Sequence, residues 1–233
     1  MMRVAVVRFP GSNCDLDAVS AIGGIEGLSP ELVWHESRDL EKFDAVVLPG
    51  GFSFGDYLRA GSIAASSPAI AAVRRMAESG TPVLGVCNGF QILVEAGLLP
   101  GALLRNASLS FVCEWVCVRV ESRATPFTRL ARRGQVLRMP IAHGEGRYYL
   151  PEDEMDALER RRGVVFRYCD PAGRAVERAN PTGTSRSVAG ISNERGNVVG
   201  LMPHPERGCD PLLSPWRSSD GRLVFASLLE AAG

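Results

Sequence analysis

The chain has no excess of either charge: 26 basic residues face 26 acidic ones, for a formal net charge of zero. No basic block or basic domain breaks that balance, which argues against a nucleic-acid-binding surface. Lysine is nearly absent. Lys42 is the only one, so the basic side chains are otherwise arginine, a bias of codon usage or lineage that carries no functional information. No apolar run reaches the roughly 18 residues needed to span a membrane as a helix. No linker, repeat or low-complexity segment divides the chain. The six cysteines, Cys14, Cys87, Cys113, Cys117, Cys169 and Cys209, are scattered. Cys113 and Cys117 fall in a β-like run with no matching Cys/His pair, so packing is expected of them and no metal site. Met1-Met2-Arg3 runs straight into an apolar strand. Free thiols in a reducing cytoplasm are therefore expected.

Of the 233 residues, 45% are hydrophobic and 22% charged, as expected of one soluble globular domain with a sizeable core. Apolar runs at 3–9, 31–34, 43–48 and 82–86 read as strands, and 15–22 and 68–79 as helices, with Pro68 in a first turn. Strands apolar on both faces and alternating with helices predict a doubly wound, mostly parallel α/β sheet. From Leu109 to Glu121 the character changes. Long β segments there, at 136–142, at 164–168 and at 187–192 lack intervening helices and predict antiparallel additions to the sheet. A strand at 197–202 and a helix at 223–231 close one domain spanning residues 1–233.

The most informative segment is Gly85-Val86-Cys87-Asn88-Gly89-Phe90-Gln91. A strand leads into it and a helical segment follows. This is the strand–turn–helix context of a G-x-S-x-G nucleophile elbow, with cysteine in place of serine. A β-carbon at either flanking glycine would crowd the strand or the helix. Cys87 would lie at a helix N-terminus, where the backbone dipole stabilises negative charge. A buried structural cysteine is the bland alternative, and the flanking glycines argue against it.

A thiol nucleophile needs a base, and the base an orienting partner. Only His35, His143 and His204 are available. His204, in Met202-Pro203-His204-Pro205-Glu206-Arg207, follows a predicted strand directly. Reactive groups of parallel sheets gather at the carboxyl ends of strands. The flanking prolines stiffen the segment and let Glu206 reach the second imidazole nitrogen. Oxyanion donors are expected from the backbone N–H of Asn88 and from Gly51, in Pro49-Gly50-Gly51-Phe52. His143 lies in a glycine-punctuated loop, and His35 is expected to be a satisfied histidine without a role.

Together these pieces resemble the class I (triad) glutamine amidotransferases, which carry a G-x-C-x-G-x-Q elbow, a distant H-x-E and an upstream Gly-Gly loop. Further segments, Arg8-Phe9-Pro10-Gly11-Ser12-Asn13-Cys14-Asp15, Pro49-Gly50-Gly51-Phe52-Ser53-Phe54-Gly55-Asp56-Tyr57-Leu58-Arg59-Ala60-Gly61, Ile141-Ala142-His143-Gly144-Glu145-Gly146-Arg147 and Met202-Pro203-His204-Pro205-Glu206-Arg207, are similar to one branch of that family. Its members are small glutaminase subunits in de novo purine synthesis. The resemblance covers nearly the whole chain. It implies that Cys87, His204 and Glu206 hydrolyse glutamine to glutamate and ammonia through a γ-glutamyl thioester. It implies that Gly51 and Asn88 hold the oxyanion, and that Gln91, His143 and Gly144 help bind glutamine. It also implies two protein partners. A large ATP-dependent synthase subunit, which would hold ATP and Mg, uses the ammonia to convert formylglycinamide ribonucleotide to the amidine, and a small subunit bridges the two. No cofactor is implied in this chain itself. The segments Ile22–Gly27 and Glu152–Arg162 depart from the expected pattern, the latter reading as a solvated helix face. Peptidases and chaperone-like hydrolases also use an elbow cysteine, but lack the late H-x-E and would not require Gln91. A binding module with a structural Cys87 would leave the three residues without a joint purpose.

Overall fold

Short valine-rich segments build the centre of the molecule, seen in a computed structural model that describes residues 1–231. The first half alternates strand and helix: β1 (Met2–Arg8), α1 (Asp15–Gly23), β2 (Leu28–Trp34), β3 (Ala45–Leu48), α2 (Pro68–Glu78), β4 (Val83–Val86) and α3 (Asn88–Glu95). The second half is strand-rich: β5 (Ala102–Leu104), β6 (Val112–Val120), β7 (Val136–His143), β8 (Arg147–Tyr149), α4 (Glu152–Arg160), β9 (Val164–Cys169), β10 (Val188–Ser192), β11 (Val198–Leu201) and α5 (Arg222–Ala226).

Nine strands form one sheet in the order β2-β1-β3-β4-β11-β10-β9-β6-β7. The first five are parallel and the rest pair antiparallel. Every residue of β3, β4 and β11 is buried, as strands covered on both faces require. The connection through α1 moves one way along the sheet and that through α2 the other. With right-handed crossovers, this places the two helices on opposite faces. Both sheet edges carry a proline, Pro30 in β2 and Pro140 in β7. A residue without an N–H is tolerated at an edge, and it discourages pairing with a further strand.

The expected α/β sheet with its antiparallel arm is therefore present, with shifts at the element ends. β2 begins three residues before the apolar run that marked it, and the closing helix passes into a 3-10 turn at Ser227. The two-stranded sheet of β5 and β8 had no sequence signal, because each strand has only three residues. The charged segment beginning at Glu152 forms α4 as expected, but its acidic face is not merely solvated. Arg186 bonds to Glu152, Asp156 and Glu159, and Arg167 also reaches Glu159. His35, expected to have no catalytic role, packs among the rings of Phe9, Trp34 and Phe54.

Close packing of α3 onto the sheet fixes the elbow. A Cβ at Gly89 would lie 2.0 Å from the Leu48 carbonyl oxygen, and one at Gly85 would lie 2.5 Å from the Gly89 oxygen. Phe90 is fully buried and fills the space that a side chain at position 200 would need. Truncating it to alanine would cost about 3–5 kcal/mol and loosen the helix that carries Cys87.

Candidate active site

The carboxyl ends of three parallel strands meet at Cys87. In the sheet β4 lies between β3 and β11, with Gly85 opposite Leu48 on one side and Gly200 on the other. Cys87 itself has φ 49° and ψ −105°, a left-handed turn that a cysteine adopts only under constraint. Its N–H donates to Leu201 at 2.8 Å, and its carbonyl accepts from Gln91 N–H at 3.1 Å. The strained residue is thereby held between the end of β11 and the first turn of α3. These glycine and turn constraints are the ones the sequence pattern implied for a nucleophile elbow.

His204 leaves the end of β11, the next strand. Its N–H donates to the Pro140 carbonyl of β7 at 2.8 Å. The ring is buried, and Nδ1 lies 2.5 Å from Glu206 Oε1. Nε2 has no hydrogen-bond partner among the described residues. Burial opposes charging of this imidazole, but the carboxylate of Glu206 and the Cys87 side chain outweigh it and hold its pKa well above the ordinary value. Cys87 and His204 line one small cavity of about 170 Å³ together with Gly51. The three residues expected to act together are therefore brought to one place. A proton can pass from sulfur to Nε2 while Glu206 fixes the opposite nitrogen.

Gly51 has φ 153°, and a Cβ there would come within 2.7 Å of Ser12 Cα. An antiparallel bridge to Ser12 holds it, and its N–H has no acceptor among the described residues. The Asn88 N–H opens α3, where the first amides lack partners within the helix. Gly51 lines the cavity of Cys87 and Asn88 follows Cys87 directly, which makes both N–H groups candidate oxyanion donors.

The antiparallel arm supplies the opposite wall. The Ala142 carbonyl oxygen lies 3.9 Å from Cys87 Sγ. His143 and Gly144 line a second cavity of about 180 Å³ that shares Gly51, Phe52 and Cys87 with the first. Gln91 borders it too, but its amide is engaged at both ends. Nε2 donates to the Glu145 carbonyl at 2.7 Å, and Oε1 accepts from Asn88 Nδ2 at 2.9 Å. Gln91 thus ties the arm to the nucleophile helix. Larger cavities flank Trp115, but they contain neither Cys87 nor His204.

Three residues of this neighbourhood escaped the sequence reading. Asn106 is fully buried and frames the 143–146 loop, donating to the His143 carbonyl at 2.8 Å and accepting from Gly146 N–H at 3.0 Å. Asp56 reaches the second cavity from a turn with three successive left-handed residues, Phe54, Gly55 and Asp56. The Cys14 thiol lies within 4.8 Å of the side-chain ligand atoms of His204 and Glu206. Asp56 and Cys14 stand inside segments that the family resemblance had already marked. Asn106 had no signal.

Residues 1–227 match the CobB/CobQ-like glutamine amidotransferase domain. A phosphoribosylformylglycinamidine synthase subunit PurQ from Thermomicrobium roseum is 58% identical, across 98% of this chain and 95% of its own length. A subunit of that name from Thermus thermophilus is 57% identical, across 98% of both chains. A chain in the solved structure of PurLQS from Thermotoga maritima superposes with a TM-score of 0.87 at 43% identity, covering 100% of this chain and 99% of that one. The chain belongs to the glutamine amidotransferase family, and within it to the PurQ type.

Proposed function

We infer that this chain is the glutaminase subunit of a phosphoribosylformylglycinamidine synthase, and that Cys87, His204 and Glu206 are its catalytic residues. The observation that carries the assignment is the His204–Glu206 contact, which leaves Nε2 free beside a strained elbow cysteine. Cys87 Sγ adds to the side-chain carboxamide carbon of glutamine as His204 accepts the thiol proton. The N–H groups of Gly51 and Asn88 hold the oxyanion. His204 returns the proton to nitrogen, the carbon–nitrogen bond breaks and ammonia leaves a γ-glutamyl thioester. Water, deprotonated by His204, then releases glutamate and regenerates the thiol. Gln91, His143 and Gly144 shape the pocket for the rest of glutamine.

Ammonia freed here serves a large synthase subunit that holds ATP and Mg and forms the amidine, with a small subunit bridging the two. Tyr57, Leu58, Leu109 and Phe111 are all more than half exposed beside the site, an apolar rim suited to such a docking. Six free cysteines support a cytoplasmic setting. None of the described helices is long and apolar enough to cross a membrane.

Labelling of the assembled complex with a glutamine-analogue diazoketone, followed by peptide mass spectrometry, tests the assignment. Modification at Cys87 that glutamine suppresses is the expected result. Modification elsewhere, or at Cys87 without protection, would remove the glutaminase reading.

A further inference from the structure

The cleft has two lobes, and their donors differ. The lobe bordered by Gln91 and His143 is acidic, lined by the carboxylates of Asp56 and Glu145 and by no cationic side chain. Burial first, and then the charge of Glu145, push the Asp56 carboxyl up to about 6. His143 stands there with neither ring nitrogen hydrogen-bonded among the described residues. That lobe is the one assigned above to glutamine. The other lobe holds a thiol for which the chemistry proposed above has no use. Cys14 is 2% exposed and immediately precedes α1. Its N–H donates to the Gly50 carbonyl at 3.2 Å, its carbonyl accepts from Ala18 N–H at 2.9 Å and its thiol donates to Asn13 Oδ1 at 3.1 Å. Burial raises its pKa above the ordinary thiol value, so it rests protonated and does not rival Cys87 as a nucleophile.

Cys14 does not stand alone. Its Sγ, a ring nitrogen of His204 and a carboxylate oxygen of Glu206 lie within 4.8 Å of one another, and all three residues are buried. Two polar atoms of this group, His204 Nε2 and Glu206 Oε2, have no hydrogen-bond partner among the described residues. Gly50 leaves room where the thiol and the ring meet. A Cβ there would lie 2.6 Å from His204 Cε1 and 3.1 Å from Cys14 Sγ. One thiolate sulfur, one imidazole nitrogen and one carboxylate oxygen are donors that zinc takes. Around tetrahedral zinc such atoms stand about 3.4–3.6 Å apart, so the cluster has to adjust by only about 1 Å. Arg207, whose charge also reaches Cys14, is turned to Asp17 at 3.1 Å.

We propose that Cys14, His204 and Glu206 form an inhibitory site for a thiophilic divalent cation of the zinc class. The cation enters through the cavity that Cys14 and His204 both line, and a fourth position is left for water. It takes the place of the proton between His204 Nδ1 and Glu206, and it displaces the thiol proton of Cys14. Two protons leave as two positive charges arrive, so the buried cluster keeps its net charge. An imidazole coordinated through Nδ1 keeps its remaining proton on Nε2, the nitrogen left free beside Cys87. The ring can then no longer cycle between its protonated and free forms, and hydrolysis stops. Cys87 is not a ligand. The inhibition rests on the glutaminase reading above, and the binding does not.

Titration of the full chain with zinc against a chromophoric chelator tests the site. Wild type is expected to hold one zinc, and Cys87→Ala to hold it equally well. Cys14→Ala is expected to weaken binding by about 100-fold or more. Cys14→Ser, whose hydroxyl is a poor zinc ligand, runs the same comparison should the alanine variant fail to fold. Absence of stoichiometric zinc in wild type, binding kept in a folded Cys14 variant, or binding lost in Cys87→Ala would overturn the site. In the assembled complex, zinc should stop glutamine hydrolysis, a chelator should restore it, and Cys14→Ser should need about 100-fold more zinc for half-inhibition. Zinc bound through Cys14 without loss of hydrolysis would overturn the inhibition. A complex that hydrolyses no glutamine even with chelator present would overturn the glutaminase reading, while the titration of the chain still decides the site.

Discussion

The parallel half of the sheet and the antiparallel arm contribute to the cleft in different ways. The parallel half carries the residues proposed for the chemistry. Cys87, His204 and Gly51 each stand just past the carboxyl end of a fully buried strand. The arm delivers a wall: Ala142, His143, Gly144 and Glu145 in a loop framed by Asn106 and Gln91. A sheet buried on both faces holds backbone ends to a fraction of an ångström, as bond-making requires. A loop held by side-chain amides fixes shape and polarity, as recognition requires. The difference teaches that changes in the parallel half should fall on kcat and changes in the arm on KM.

The largest effect expected is that of Cys87→Ala, which should lower glutamine-dependent synthesis by about 10⁴-fold or more. Ammonia-dependent synthesis by the complex should persist, and its loss would break the division of labour. Glu206→Gln keeps the shape but loses the charge beside His204. It should lower kcat by about 10²-fold with little change in KM. A rise in KM alone would erase the contrast between the two halves.

Asn106→Ala tests the arm. It strands the His143 carbonyl and the Gly146 N–H in a buried site, at a cost of about 1–3 kcal/mol. A lower Tm and a KM for glutamine raised about tenfold, with kcat nearly kept, are expected from calorimetry and steady-state kinetics. The smallest effect concerns pH. Asp56 is charged above its pKa of about 6 and neutral below it. Its attraction for the ammonium of a bound glutamine is therefore present at neutral pH and is lost as pH falls through that value. KM for glutamine should rise below pH 6 in wild type, and this limb should vanish in Asp56→Asn. A limb that survives the substitution belongs to another group.

Legibility followed the same division. Val83–Val86, the glycines around Cys87 and the His204-Pro205-Glu206 run lie within short windows, where local sterics leave few choices. The left-handed turn at Asp56 has no comparable short pattern, and Phe54 within it packs edge-on against His35, a contact between segments distant in sequence. Gln91 was visible in the elbow pattern, but its partners were not. Its amide bridges to Glu145, 54 residues away.

The sequence by itself determined the fold class and marked Cys87, His204 and Glu206 as the candidate nucleophile, base and orienting acid, while its family segments marked the branch. Backbone sterics and strand periodicity act over a few residues and can be read along the chain. Tertiary structure alone decided that the cleft has an acidic lobe, that His143 stands there without a partner and that Asn106 frames it. Those properties arise where β7, α3 and the loop after β3 converge, and burial and charge exist only between residues that folding has brought together.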